Sequence, residues 1–389
     1  MPPSPTLINR HDSRFQAMLG RHRAFWSRAE SDSLLRSAGI FAPSMPIALP
    51  QPDGTRLTDA ERLTPDMIDP ASLIAEVEAW DSERLDSTLP AQGQYLVSVG
   101  LGDMMPTSKP LVKIPWIEAM LGCPIKMTNG HIWNEHYSGD PEEVIQGGVH
   151  FQGNPWFELY LEFIRQLQGR LSRHYPTSAG TLLRGASDLA AAVMGVQEAC
   201  IGWIDQPQFM TRLMRVCTDA ILTVVEAGWK LIQPLEGGYM CHWGIWSPAP
   251  VVWAQADHST LLSARMYERQ ILPFDREVMR SCPVSVMHIH NCGLHIAPLL
   301  VQIPELTAIE CAVDPYPAGE RKAWEIRSWQ MIQEYKPLIL DFNFPSLEEA
   351  DWMLTQLSPR GLMFNARFES DIFATLPANA PGAETWLLA

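Results

Sequence analysis

The spacing of hydrophobic residues changes near residue 90. Before that point, two amphipathic stretches at 15–30 and 70–85 have apolar residues at helical spacing, and a proline-rich loop at 41–54 lies between them. After it, short and nearly unbroken apolar runs alternate with longer amphipathic ones. The pattern predicts an N-terminal helical extension over residues 1–90 and an α/β domain over residues 91–389.

Seven short apolar runs in the second region are strand candidates. They are QYLVSVG, TLLRGAS, GGYMCHW, VSVMHIHNC, LTAIECAV, PLILDFN and GLMFNAR. Strands that alternate with helices are parallel, and strands covered on both faces are apolar throughout. We therefore predict a (β/α)₈ TIM barrel whose eighth strand the pattern does not locate. The turn-rich segment 121–155 is predicted to be an insertion after the first strand that arches over the mouth of the barrel.

Composition narrows the classes of function. The chain of 389 residues has a net charge of −15, which disfavours binding to nucleic acid or to an anionic membrane surface. No run approaches 18 apolar residues, and the first residues lack the basic and apolar regions of a signal peptide, so we expect a cytoplasmic protein. The seven cysteines are dispersed and odd in number, which favours thiols or metal ligands over a disulfide framework.

The strongest chemical signal is the run His288-Ile-His290-Asn-Cys292-Gly293 at the end of an apolar stretch. P-loop, dinucleotide-binding, zincin and hydrolase motifs are absent from the sequence. In a strand, His288, His290 and Cys292 would share one face, and imidazole with thiolate suits zinc. His288 and Cys292 would lie about 13 Å apart, too far to share an ion easily, so His290 and Cys292 are the better pair. The alternative is that the histidines are hydrogen-bonded inside the barrel and the cysteine belongs to the core.

Four segments carry a resemblance to a known superfamily. PWIEAMLGC, LLRGASDLAAAVMG, MYERQILPFDREVM and HIHNCG resemble, in order and spacing, the uroporphyrinogen decarboxylase and cobalamin-dependent methyltransferase superfamily over about residues 90–370. The resemblance implies a TIM barrel. In the methyltransferase branch it implies a zinc held by His290 and Cys292 with a more distant third ligand. No cysteine stands at the third position, and Glu369 is the nearest residue able to bind zinc.

Further polar residues at predicted strand ends would line the same cavity, where this type of fold keeps its chemistry. The candidates are His242, Trp243, Asp314, Asp341, Asn343, Asn365 and Arg367. We expect His242, Asp314 and Asp341 to act as acids or bases and the other four to bind substrate. For His242 the alternating strand pattern leaves open whether the ring faces the cavity or the outer helices.

Three classes of function follow. The first is a zinc-dependent methyltransferase that moves a methyl group between a small substrate or thiol and a corrinoid. Because the chain has no D-x-H-x-x-G cobalamin signature, the corrinoid would be carried on a separate protein. The second is a lyase that decarboxylates a cyclic or tetrapyrrole-like acid, with Asp314 or Asp341 as proton carrier. The third is a binding protein that has kept the barrel without turnover. Whether the chain forms a homodimer the sequence leaves open.

Overall fold

The structure is a computed structural model that describes residues 13–29, 33–40, 45–83, 91–98, 102–179, 184–314, 323–344 and 347–368. It is a mixed α/β fold built on one six-stranded parallel sheet. We number the strands of this sheet β1 to β6 along the chain. They are β1 (Leu35–Ile40), β2 (Val251–Gln255), β3 (Val284–His290), β4 (Ala308–Val313), β5 (Leu338–Phe344) and β6 (Leu362–Phe368). Their order across the sheet is β1-β6-β5-β4-β3-β2.

Helices cover the sheet and precede most of its strands. They are α1 (Ser13–Ser27), α2 (Pro70–Glu83), α3 (Ala91–Gln94), α4 (Trp116–Met120), α5 (Pro141–Gly147), α6 (Pro155–Arg170), α7 (Ala186–Met194), α8 (Val196–Asp205), α9 (Pro207–Trp229), α10 (Ala264–Met266), α11 (Leu272–Met279), α12 (Ala297–Leu300), α13 (Ala323–Tyr335) and α14 (Leu347–Gln356). A six-stranded parallel sheet with these helices is consistent with a TIM-barrel-like fold. Among the described residues, no ladder joins β1 to β2 to close a barrel.

The two faces of the sheet bury different sets of side chains. One set packs in the large helix-covered core, and Ile289, Cys311 and Leu340 belong to it. The other set begins with a small apolar cluster that includes Trp253 and Val286. Toward the carboxyl ends of the strands this second face turns polar, because the alternation that carries Val286 is continued along β3 by His288 and His290. The polar residues are therefore concentrated on one face and at one edge of the sheet.

The strand predictions were correct for the second half of the chain only. Four of the seven runs form β3, β4, β5 and β6. QYLVSVG lies partly outside the described residues, and within its described part the strand is Val97–Ser98, paired antiparallel with Thr107–Ser108. In GGYMCHW the strand is limited to Tyr239–Met240, in an antiparallel hairpin with Trp246–Ser247. These two predictions were wrong because an apolar run of this length fits a short hairpin arm as well as a buried parallel strand. TLLRGAS lies partly outside the described residues, and its end opens α7.

Two strands of the main sheet were missed. β2 follows the proline-rich sequence SPAP, and β1 contains Arg36 and Ser37, so neither is a long uninterrupted apolar run. β1 pairs parallel with β6, in register from Leu35 with Met363 to Ile40 with Phe368. The first ninety residues are thus not a purely helical extension, because they supply a strand of the central sheet.

The segment 121–155 has more regular structure than its turn-rich sequence suggests. It contains the hairpin Ile125–Thr128 with His131–Asn134 and then helix α5. Its first strand bridges back to Ala60 through Met127, which ties the insertion to the N-terminal region. Among the described residues, no helix has the length and apolar character needed to cross a membrane.

Asp275 on α11 is a buried carboxyl group whose ionisation affects stability. It is 2% exposed, and the Tyr267 hydroxyl donates a hydrogen bond of 2.7 Å to its Oδ2. Burial raises the pKa of Asp275 from 3.8 to about 7. The folded protein therefore holds this proton more tightly than the unfolded chain, and stability is lost as the pH rises from about 4 to about 7.

Replacing Asp275 by asparagine should remove this loss, because the amide oxygen still accepts the hydrogen bond from Tyr267 but carries no charge. We expect the free energy of unfolding of the variant, relative to that of the wild type, to increase by a few kcal/mol between pH 4 and 7 and to stay constant above pH 8. This size follows from about 1.4 kcal/mol per unit of pKa shift. Urea unfolding at a series of pH values measures this difference. Stability curves that stay parallel across the range would contradict the assignment.

Candidate metal centre

Three side chains meet at the carboxyl ends of β2 and β3. His288 and His290 lie two residues apart on β3, and Asp257 opens the 3₁₀ turn Asp257–Leu261 just after β2. One ligand atom from each residue lies within 4.8 Å of the others, as a shared metal ion would require. The parallel register explains this placement, since Gln255 of β2 pairs with His288 of β3 and brings the end of β2 beside the two histidines.

Asp257 directs an oxygen without a hydrogen bond toward both imidazoles. Its Oδ1 is buried and accepts no hydrogen bond, and it lies 3.7 Å from Nε2 of His288 and 3.7 Å from Nε2 of His290. These distances are too long for hydrogen bonds. Ligands about 2.0–2.1 Å from a tetrahedral ion lie about 3.3 Å from one another, close to the observed spacing. Two imidazole nitrogens and one carboxylate oxygen therefore fit a metal ion in both donor chemistry and position.

A buried carboxylate supports His288 from behind. Glu310 is fully buried on the neighbouring strand β4, and its Oε2 lies 3.0 Å from His288 Nδ1, although the ring nitrogen is poorly aligned for a hydrogen bond. The indole nitrogens of Trp243 and Trp253 donate to the two oxygens of Glu310 at 2.8 and 2.6 Å. A carboxylate on the far nitrogen is the usual partner of a metal-binding histidine, because it fixes the orientation of the ring.

His290 has a carboxylate partner of the same kind. Its Nδ1 lies 3.1 Å from both oxygens of Asp314, which follows β4. Each histidine thus directs Nε2 toward Asp257 and Nδ1 toward an acid. Asp314, predicted from the sequence to be an acid or base, here orients His290.

The protonation states of His288, Glu310 and Asp257 depend on one another. Burial disfavours the charged form of His288, but Glu310, Asp257 and Asp188 together outweigh it, so the pKa of His288 is raised. The pKa of Glu310 is lowered, since the nearby imidazole and the two indole donors outweigh the effect of burial. Burial and the charge of Asp188 raise the pKa of Asp257. A divalent cation among these groups would displace the proton of His288 and favour the charged form of Asp257.

Asp188 on α7 fixes the turn that carries Asp257. Its Oδ1 accepts a hydrogen bond from the backbone nitrogen of His258 at 2.6 Å, and its Oδ2 accepts from Asp257 at 3.3 Å and from Gly185 at 3.2 Å. Gly185 is required here because a Cβ atom at this position would lie 1.9 Å from the carbonyl oxygen of Gln255. The segment 184–188 therefore docks α7 against the end of β2.

Cys292 lies away from the convergence point. Strand β3 ends at His290, and Asn291–Ile296 form a 3₁₀ turn, so the two-residue alternation that would align Cys292 with the histidines is broken. The thiol is exposed, and partial burial with the charge of Asp314 raises the pKa of Cys292. Cys292 is not among the described residues whose ligand atoms converge. Glu369 lies outside the described residues.

A second polar group lies on β5 and β6. The Asp341 carboxylate accepts hydrogen bonds from Asn365 Nδ2 at 2.7 Å and from Arg367 Nε at 2.9 Å, and it forms an ion pair with the guanidinium group. The negative charge of Asp341 is therefore paired with the positive charge of Arg367. Asn343 pairs in register with Arg367, and the side chain of Asn343 is outside the described set.

His242 and Trp243 lie in a tight turn rather than in a strand. Trp243 has a left-handed backbone with φ of 62°, in the 3₁₀ turn His242–Gly244. The buried His242 ring lies 4.5 Å from the ring of Trp243 and 5.6 Å from that of Trp253, both edge-on. The guanidinium carbon of Arg367 lies 4.7 Å from the centre of the Trp243 ring. Trp243 therefore connects the Glu310 group to the Asp341 group.

Sequence reasoning missed Asp257 and Asp188 as site residues. Asp257 comes three residues after the apolar run 251–254, a signal similar to the one that selected Asp314, and it was missed because β2 itself was missed. Asp188 lies within the segment LLRGASDLAAAVMG, but a single sequence does not distinguish it from an acid that caps a helix.

Comparisons with known proteins bear on the fold. No protein-family model and no curated protein matches the chain. A solved structure, a methyltransferase from Methanosarcina mazei, aligns with a TM-score of 0.53 and 13% identity over 91% of this chain and 93% of that chain. The metallated homocysteine methyltransferase MmuM from Escherichia coli aligns with a TM-score of 0.22 and 11% identity over 60% of this chain and 90% of that chain. The first likeness shows a similar fold, and the second carries no argument.

Proposed function

We propose that the chain is a metal-dependent methyltransferase that moves a methyl group between a small substrate or thiol and a corrinoid carried on a separate protein. The observation that carries the proposal is the convergence of Asp257, His288 and His290, with a carboxylate behind each imidazole. The fold similarity to a protein described as a methyltransferase adds support.

Zinc is the metal that we propose. Asp257 Oδ1 and the Nε2 atoms of His288 and His290 would hold it, leaving a fourth position for a substrate atom, as in catalytic zinc sites. When bound, the ion would supply Lewis acidity that lowers the pKa of a thiol or polarises the heteroatom that bears the methyl group. The same donor set also suits iron(II), so metal analysis must accompany the activity measurement. This assignment keeps His290 from the sequence prediction and replaces Cys292 by His288 and Asp257.

The other residues would shape the substrate cavity. Trp243 and Trp253 present apolar rings beside the metal ligands and would exclude water from the transferring methyl group. Arg367, Asn365 and Asn343 remain proposed substrate-binding residues at the ends of β5 and β6. His242 remains a proposed hydrogen-bond donor or proton carrier. Glu369 remains a proposed ligand for the fourth position of the metal when no substrate atom occupies it.

Metal analysis combined with a methyl-transfer assay tests the proposal. Protein purified without chelator should hold about one zinc per chain. With an added chemical reductant that keeps the corrinoid as Co(I), it should transfer methyl groups from a panel of methyl thioethers, ethers and amines to a corrinoid protein or to free cobalamin, giving methyl–Co(III) and the protonated thiol, alcohol or amine. Dialysis against a chelator should abolish transfer, and adding zinc should restore it, because a Lewis acid contributes several kcal/mol to such a step. Protein without stoichiometric transition metal would overturn the proposal. Metal-independent release of CO₂ from a cyclic carboxylic acid would favour the lyase.

A further inference from the structure

Lys109 is a buried cation close to the candidate metal centre. It follows the short strand Thr107–Ser108 and is 7% exposed. Its Nζ lies 5.7 Å from the centre of the Trp243 ring. Because the indole nitrogen of Trp243 donates to Glu310, which lies against His288, one aromatic side chain separates Lys109 from the acid behind a metal ligand.

The ammonium group of Lys109 has no counter-ion in the part of the chain that the structure describes. No hydrogen bond or ion pair joins its Nζ to a described residue, and the charge that acts on it is that of Arg367, which is also positive. Burial, together with Arg367, lowers the pKa of Lys109 to about 8. A buried cation is costly unless an anion neutralises it, so this position favours an anionic ligand.

The neighbouring charges are already matched. Arg367 is neutralised by Asp341, and the histidines of the metal centre have Glu310 and Asp314 as partners. Asp257 would be neutralised by the proposed metal ion. Lys109 is then the cation of this group that lacks a partner, and it provides one positive charge beside an aromatic ring.

We propose that Lys109 binds the carboxylate of the methyl-bearing substrate, and that the substrate class is small methylated monocarboxylic acids. This inference rests on the proposed function of the site. A carboxylate matches a single ammonium group, whereas a phosphate dianion would leave a negative charge uncompensated. Trp243 would pack against the apolar part of the acid, while Glu310 and His288 hold the metal centre beside it.

Paired acids and amides test the inference on the full chain. The probes are (methylthio)acetate and 3-(methylthio)propanoate, each against its own amide, titrated calorimetrically into metal-loaded and chelator-treated protein. We expect at least one acid to bind about tenfold or more tighter than its amide, because truncating one partner of a buried charge pair has effects of this size or larger. The preference should decline above about pH 8, where the ammonium group loses its proton.

Variants separate Lys109 from general charge effects. Lys109→Met should abolish the preference for acid over amide while metal content stays unchanged, and Lys109→Arg, which retains the charge, should keep much of it. The matched control is Lys113→Met, since Lys113 Nζ also lies over an aromatic ring, 4.4 Å from the centre of Tyr95. This variant should bind the acids like the wild type. If Lys109→Met fails to fold, Lys109→Gln replaces it in the same titration.

Several results would overturn the inference: acids and amides that bind alike, acids that do not bind, a preference retained without the Lys109 ammonium group, or inorganic phosphate that binds more tightly than either acid. Failure of the proposed function is distinguishable. A chain without metal but with an acid preference that depends on Lys109 would reject the metal centre and keep the anion site. A metal-loaded chain without the preference for acids would keep the metal centre and reject the anion site.

Discussion

Replacing Asp257 by asparagine should remove most of the bound metal while leaving the fold intact. The carboxylate oxygen that faces His288 and His290 accepts no hydrogen bond, so the neutral amide loses no such contact there. It does lose the negative charge that two imidazoles cannot replace. Replacing a residue that hydrogen-bonds to a metal ligand typically lowers metal affinity about 10–100-fold, and we expect the loss of a direct ligand to lower it at least about 100-fold. Metal content after dialysis and competition with a zinc-binding dye measure the effect.

The control for this prediction is Cys292→Ser. The sequence pattern favours Cys292 as a ligand, whereas the structure places its exposed thiol outside the convergent group. We expect the serine variant to keep its metal and Asp257→Asn to lose it. The reverse result would return the ligand set to His290 and Cys292. Thermal unfolding of the metal-free proteins should show Asp257→Asn at least as stable as the wild type, because burial raises the pKa of the native carboxyl group.

Replacing Glu310 by glutamine should lower both stability and metal affinity. Glu310 is fully buried and accepts hydrogen bonds from Trp243 and Trp253 while lying against His288. Glutamine carries no charge and has only one side-chain oxygen. Its NH₂ group would therefore face one of the two indole N–H groups, and two donors cannot form a hydrogen bond with each other. Breaking a buried charge pair costs about 3–5 kcal/mol of folding free energy. Loss of the acid behind a metal-binding histidine should weaken metal binding about 10–100-fold.

The pH dependence of metal binding gives a second measurement on Glu310→Gln. In the wild type, Glu310 raises the pKa of His288, so a proton competes with the metal and affinity should increase as the pH rises. Without the carboxylate the pKa of His288 falls, and the rise in affinity should move to lower pH. Metal titrations between pH 5 and 9 record this shift.

The matched control for Glu310 is Asp314→Asn. Asp314 is the acid behind His290, but its side chain is half-exposed. We expect this variant to weaken metal binding in the same way and to change the free energy of unfolding by no more than about 1 kcal/mol, as for exposed ion pairs. Equal stability losses in the two variants would contradict the separate roles assigned to burial and to metal support.

Part of the candidate site follows from local pattern alone. The alternation of β3 predicts that His288 and His290 share a face. Only the register of β3 with β4 in the structure places Glu310 beside His288. Asp314, Asp341, Asn365 and Arg367 were predicted by the same reasoning, because polar residues at the carboxyl ends of apolar runs gather at one edge of a parallel sheet.

Other parts required distances between segments far apart in the chain. Asp257 becomes a candidate ligand only once β2 is known to pair with β3, and Asp188 gains its role by accepting hydrogen bonds from residues about seventy positions away. Lys109 has no motif at all. It is notable because folding buries it beside Trp243 without a counter-ion among the described residues. This depends on tertiary packing, which the local sequence pattern does not predict.

The sequence by itself determined the α/β class, the strands β3 to β6 and the polar end of β3, because these depend on the period of neighbouring side chains. Tertiary structure decided where β3 stops, which strands flank it and which acid faces the two histidines. The distinction is physical. Alternation sets the direction of a side chain within one strand, whereas a metal ligand set is defined by distances among strands, turns and helices that only the packed chain fixes.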